Sequence, residues 1–154
     1  RLRDHGVGIY ATFVFGYDDD DVDSFNNTLD FAIKNKFLLA AFNHLIPFPG
    51  TPLYNQLKKE GLLLFDKWCL ESKYRFGDVA FYPKQMSPEE LSQGCMEARR
   101  KFYRFSSILR RSFDLKVNCR NPYIAMKFLS LNYFSQKEVI KRQGLPLGME
   151  AVAN

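Results

Sequence analysis

The chain has 154 residues, 46% of them hydrophobic, which is enough for a buried core in one domain or a small domain with an appendage and excludes a disordered chain. No apolar run approaches the roughly 18 residues of a membrane span, and no charged-then-apolar leader opens the chain, so the sequence reads as cytoplasmic. The net charge of +5 is uneven: residues 1–60 hold six Lys/Arg against eight Asp/Glu, whereas residues 61–154 hold sixteen against nine.

The sequence opens on Arg1 and its first Met is Met86, from which an excised piece of a longer protein is expected. Cys69, Cys95 and Cys119 are odd in number and lack CxxC spacing. That argues against a disulfide framework and a metal knuckle, and they are expected to be ordinary buried or half-buried thiols.

Residues 8 to 17, GIYATFVFGY, form an apolar, β-branched and aromatic run without clean alternation, as expected of a strand covered on both faces in a parallel sheet. Gly16 ends it. The acids Asp18 to Asp21 and Asp23 then open a helix whose apolar face is Val22, Phe25, Leu29, Ala32 and Ile33, and Lys34 and Lys36 close it, as the helix dipole favours. Acids that open a helix are stabilising there without an ion, so no metal site is assigned to them. A second apolar run, Phe37 to Ile46, follows with almost no linker, the way a crossover helix returns a chain to a parallel neighbour strand. Pro47, Pro49, Gly50 and Pro52 exclude regular structure, and Leu53 to Glu60 is expected to be a short helix closed by Gly61.

From residue 62 the pattern is aromatic and irregular, with one short strand expected at Val79 to Tyr82, and residues 62–86 read as a connecting segment wrapped over the sheet. Ser87-Pro88-Glu89-Glu90 is a helix start with a capping box. The long helix expected after it carries an apolar stripe from Leu91 to Leu109, with Arg99, Arg100, Lys101, Arg104, Arg110 and Arg111 largely off the stripe. After a break near Asn118 to Pro122, one helix is expected over Tyr123 to Phe134, a last short one over Ser135 to Arg142, and a loose tail over 144–154.

Two stretches carry a resemblance. Thr12-Phe13-Val14-Phe15-Gly16-Tyr17-Asp18-Asp19 is similar to the fifth-strand motif Gly-x-Ile-x-Gly-x-x-Glu of radical S-adenosylmethionine enzymes, with Val14 and Gly16 at matching positions, Thr12 in place of the first Gly and Asp19 in place of the Glu. Asn43 to Tyr54, NHLIPFPGTPLY, is similar to the family's sixth strand and the Pro-Gly-Thr-Pro loop after it. The region from Val7 to Tyr54 thus resembles the end of a radical S-adenosylmethionine barrel, more narrowly of the cobalamin-binding class. FYPKQMSPEEL and the basic helix after it look like the C-terminal extension of the subclass that includes hopanoid methylases.

The resemblance implies an α/β fold. Residues 1–61 would be the last two strand-helix units of a partial (β/α)6 TIM-type barrel, 62–86 the connecting segment, 87–143 a mostly helical extension and 144–154 the tail. It also implies a wall of the cofactor pocket made by Val14, Gly16, Asn43, His44 and Leu45, with Val14 offering an apolar surface to adenine and Gly16 a close backbone approach. On the residues alone, Val14 reads as core and Gly16 as a strand end, and His44 as a hydrogen-bonded structural histidine. No Cys-x-x-x-Cys-x-x-Cys is present, so neither a catalytic residue nor a metal ligand is assigned here. S-adenosylmethionine, a four-iron (4Fe-4S) cluster and cobalamin are expected only in the full-length parent, as a methyltransferase or related bond-forming enzyme.

The partners implied are the rest of the barrel and an N-terminal domain, with a lipidic or porphyrin-like substrate. For the basic second half, a solvated face, an anionic membrane surface and nucleic acid all stay open. A sheet of two strands with bare edges leads to the expectation of a dimer of the isolated piece.

Overall fold

Tyr10–Phe15 form strand β1 and Leu39–His44 form strand β2, paired in parallel with Tyr10 opposite Leu39 and Phe15 opposite His44, in the computed structural model, which describes residues 2–142 and 144–146. Helix α1, Val22–Lys34, makes the crossover between them. The apolar runs are therefore strands as expected, each trimmed by two residues at either end. Among the described residues the fold is α/β, with two parallel strands and the helices α1, α2 (Pro52–Lys59), α3 (Pro88–Phe102), α4 (Phe105–Ser112) and α5 (Pro122–Arg142). A closed barrel is not formed by these residues.

Alternation along the strands divides the sheet into two faces. Phe13 and Phe15, with Ala40, Phe42 and His44, turn to the core; Phe13 stacks on Phe42 with ring centroids 5.4 Å apart, and Phe15 meets Phe25 of α1 at 4.7 Å. Helix α3 adds Leu91, Cys95, Ala98 and Phe102 to the same core. Tyr10, Thr12 and Val14, beside Leu39, Ala41 and Asn43, lie on the other, more open face.

Local chemistry fixes the helix starts. Asp21 Oδ1 accepts from Ser24 N at 2.9 Å while Ser24 Oγ accepts from Asp21 N at 3.1 Å, which caps α1. The same reciprocal pair, Ser87 with Glu90, starts α3. Two further acids of the cluster are also occupied: Asp20 Oδ2 accepts from the N–H of Gly16 and of Tyr17, and Asp18 pairs with Lys84.

At Gly94, in the middle of α3, a Cβ would fall 2.4 to 2.5 Å from three ring atoms of Phe25, so the glycine lets α3 approach α1. Alanine would favour the helix by about 1 kcal/mol, but overpacking against a buried ring costs about 1 to 3 kcal/mol. Gly94→Ala is thus expected to lower the thermal midpoint, and an unchanged or raised midpoint would show that the helices separate freely.

Four expectations need correction. Val79 to Tyr82 is not a strand; Leu63 and Phe81 form an isolated antiparallel bridge, flanked by hydrogen bonds from Leu64 N to Ala80 O and from Tyr82 N to Leu62 O. The long basic helix breaks after Phe102, because Tyr103 is fastened to β2 and Arg104 turns extended before α4 begins. The two last helices are one, Pro122–Arg142, which runs through Ser135 without a cap. Most of the expected tail, 147–154, lies outside the described residues, but its start is held, since Phe76 N donates to Leu145 O at 2.8 Å and Gly144 N to Phe76 O at 3.2 Å.

The connecting segment does wrap back. Trp68 Nε1 donates to Pro47 O at 2.8 Å and its ring meets Phe48 edge-on, so the proline-rich loop after β2 is clamped from outside. Trp68, Tyr74 and Ala80 form a second small core with Ile46 and Phe65.

Candidate functional site

Alternate residues of a parallel strand turn their N–H and C=O to opposite edges. Leu39 N donates to Ile9 O and Leu45 N to Phe15 O, so the odd residues of both strands pair with each other. The even residues of β2 face outward, and side chains from the C-terminal helices meet them. Tyr103 Oη donates to Ala40 O at 2.9 Å and accepts from Ala40 N at 3.3 Å. Arg99 Nε donates to Phe42 O at 2.7 Å, and Arg111 Nη1 and Asn132 Nδ2 both donate to Leu38 O. The outer edge of β2 is thereby sealed by α3, α4 and α5. The corresponding groups of β1, those of Tyr10, Thr12 and Val14, have no such cover among the described residues.

Arg111 is the main piece of the seal, although in the sequence it is only one of the charged residues off the apolar stripe. It is 0% exposed. Its guanidinium donates to Phe37 O, Leu38 O, Phe102 O, Asn132 Oδ1 and Ser107 Oγ, and its Cζ lies 3.8 Å from the centroid of Phe102. Burial pushes its pKa down to about 10, still charged at neutral pH. No local pattern marks it, since two of the carbonyls it serves, those of Phe37 and Leu38, lie more than seventy residues upstream.

The five residues expected to line one pocket fall into three environments. Val14 and Asn43 are register partners on the open face, where Asn43 Oδ1 accepts from Arg99 Nη2 at 3.1 Å. Gly16 and Leu45 lie past the strand ends and line a cavity of about 320 Å³ with Leu53, Leu57, Phe81 and Lys84. Gly16 takes a positive φ of 102°, and a Cβ there would meet Leu91 Cδ2 at 2.9 Å and Phe81 Cζ at 3.2 Å, so its missing side chain makes room for the chain's own core. His44 points to the opposite face, 8% exposed, with Nε2 buried and unpartnered among the described residues. Burial first, and the nearby Arg99 charge second, lower its pKa to about 4, against the opposing pull of Asp78; it is neutral at pH 7.

A second cavity, of about 410 Å³, opens between the sheet and α5. It is lined by Tyr10, Ala41, Asn43, Phe76, Arg99, Tyr103, Phe134, Glu138 and Arg142. The sequence reading missed it, because its walls come from strand, connecting segment and two helices.

The three thiols do not form a centre. Cys69 is exposed, Cys119 half-buried, and Cys95 sits in the core, where burial pushes its pKa up to about 12. Among the described residues no three His, Cys, Asp or Glu side chains are grouped to hold a metal ion, and no helix is long and apolar enough to cross a membrane.

No protein-family model and no solved structure matches the chain. Curated proteins do. It is 36% identical over 118 residues to bacteriochlorophyllide d C-12(1)-methyltransferase of Chlorobaculum tepidum, which covers 77% of this chain and 25% of that protein. It is 30% identical over 102 residues to the anaerobic magnesium-protoporphyrin IX monomethyl ester cyclase of Cereibacter sphaeroides, covering 66% of this chain and 16% of the cyclase. A bacteriochlorophyllide d C-8(2)-methyltransferase of Chlorobaculum tepidum matches at 23% identity over 110 residues, 71% of this chain and 24% of the methyltransferase. The chain therefore spans a quarter or less of the length of these relatives. Over that shared stretch, the similarities relate it to the radical S-adenosylmethionine family.

Proposed function

We propose that the chain is the C-terminal segment of the catalytic barrel of a radical S-adenosylmethionine enzyme of the cobalamin-binding class, with β1 and β2 as the last two strands. The observation that carries this reading is the asymmetry of the sheet. A terminal strand needs its outer edge covered, as β2 has, and the strand before it needs an edge ready for a neighbour, as β1 has.

In this reading the open face is the barrel interior. Val14 supplies an apolar surface there, Asn43 and Arg99 supply polar groups, and Gly16 and Leu45 shape the rim where both strands end. His44 belongs to the supporting core rather than to the wall. When bound in the whole enzyme, S-adenosylmethionine supplies a 5′-deoxyadenosyl radical and cobalamin a methyl carrier. The cluster does not fit the thiols present here, so this chain's own part is limited to binding and orientation. The names of the relatives support a tetrapyrrole as the substrate class of the parent, in a methyl transfer or ring closure.

Two measurements test this. Reconstitution of the chain with iron and sulfide is expected to give no charge-transfer absorption, whereas the parent protein gives it; a four-iron cluster on the chain alone would sink the placement. In isolation, the bare edge of β1 is the place for pairing with a second copy. Sedimentation is expected to show a concentration-dependent dimer, and a monomer at every concentration would count against it.

A second reading, a basic helical module on an anionic membrane surface, is favoured by the apolar side chains that α4 and α5 leave exposed. These include Phe105, Leu109, Met126, Leu129, Tyr133 and Ile140, beside Lys127 and Lys137. Flotation with anionic vesicles that fails at raised salt would support it, and no flotation at low salt would remove it.

A further inference from the structure

We propose that the cavity between the open sheet face and α5 is a ligand site for a flat, largely apolar carboxylic acid, whose carboxylate is held by Arg99. Arg99 is half-buried at the cavity wall. Nε and Nη2 are spent on Phe42 O and Asn43 Oδ1, which hold the guanidinium in one orientation. Among the described residues its Nη1 has no acceptor and no carboxylate pairs with the group. A cation fixed by neutral oxygens and facing a cavity leaves charge unpaired, and an entering carboxylate pairs it through charge-assisted hydrogen bonds.

The other charges in the cavity leave this role to Arg99. Arg142 is already paired, its Nε to Glu138 Oε2 at 2.7 Å, so the two nearly cancel. Around Arg99 the walls are aromatic: Phe76, whose ring centroid lies 5.7 Å from Arg99 Cζ, with Tyr10, Tyr103 and Phe134. Such walls suit a planar apolar body, and Ala41 leaves room for it against the sheet.

Taking a tetrapyrrole as that body rests on the proposed function, so the test uses protoporphyrin IX, a dicarboxylic acid, and its neutral dimethyl ester. Binding to the full 154-residue chain is read by porphyrin fluorescence. The acid is expected to bind at least about tenfold more tightly than the ester, and Arg99→Gln to remove that preference. Because Arg99 also seals the strand edge, Ser135→Trp, which fills the cavity from α5, is tested beside it and is expected to weaken the acid at least about tenfold with the fold retained by circular dichroism. Equal binding of acid and ester overturns the role of Arg99. Binding of the acid that survives Ser135→Trp overturns the site, and no binding of either compound overturns both. None of these outcomes touches the family reading, which stands or falls on cluster formation in the parent.

Discussion

Arg111→Met is expected to lower the unfolding free energy by about 3 to 5 kcal/mol, because it leaves several buried neutral acceptors without their donor at about 1 to 3 kcal/mol each. The usual argument that a buried ion is replaceable by an apolar side chain does not apply. It requires that every polar partner go too, and here three partners are backbone carbonyls, of Phe37, Leu38 and Phe102, which no substitution removes. Asn132 Oδ1 would also lose its donor in a residue that is itself 0% exposed. Each stranded acceptor costs about 1 to 3 kcal/mol, partly recovered where Asn132 Nδ2 still reaches Leu38 O. Lysine should recover little, because a single ammonium does not span oxygens spread around a planar guanidinium. Urea denaturation checks this. A loss below about 1 kcal/mol would show that Arg111 packs rather than bonds.

Acid should weaken the fold through His44 in particular. Its pKa is lowered from 6.5 to about 4 in the folded chain, so between those values the unfolded chain binds the proton and the folded chain does not. Relative to pH above 6.5, where His44 is neutral in both states, stability falls as pH drops toward 4, by about 2 to 3 kcal/mol at pH 4.5. His44→Leu removes this dependence and the unpartnered buried Nε2 together. The variant is expected to match or exceed the parent in stability at pH 7.5 and to lose about 2 to 3 kcal/mol less on acidification to pH 4.5. Parallel pH profiles for the two proteins would mean that His44 protonates in place.

What could be read from the sequence was what short-range chemistry decides. Ser87 with Glu90 and Asp21 at the mouth of α1 announce helix starts because cap and partner lie three residues apart. The two apolar runs announce parallel strands because both faces need cover. That the two are neighbours followed from that arrangement, but the register that pairs Val14 with Asn43 and sets the face of His44 did not, since one residue along a strand reverses the side. Arg99 and Arg111 were hidden for a different reason. An arginine off an apolar stripe looks the same whether it meets water or a strand edge, and only the tertiary fold supplies the carbonyls of Phe37 to Phe42. The break at Tyr103 has the same origin, since its phenol is pinned to Ala40 sixty-three residues away. Ser135 misled in the opposite direction: a good cap residue is also tolerated inside a helix, and α5 runs through it.

The sheet ends at β2 and is open at β1, and amide hydrogen exchange of the chain, diluted until it is monomeric, tests this residue by residue. The N–H of Ala40, held by Tyr103 Oη, is expected to exchange slowly, and those of Thr12 and Val14 fast, alternating with slow Phe13 and Phe15. Protection of Thr12 and Val14 equal to that of Ala40 would mean that β1 already has a neighbour and is not an open edge.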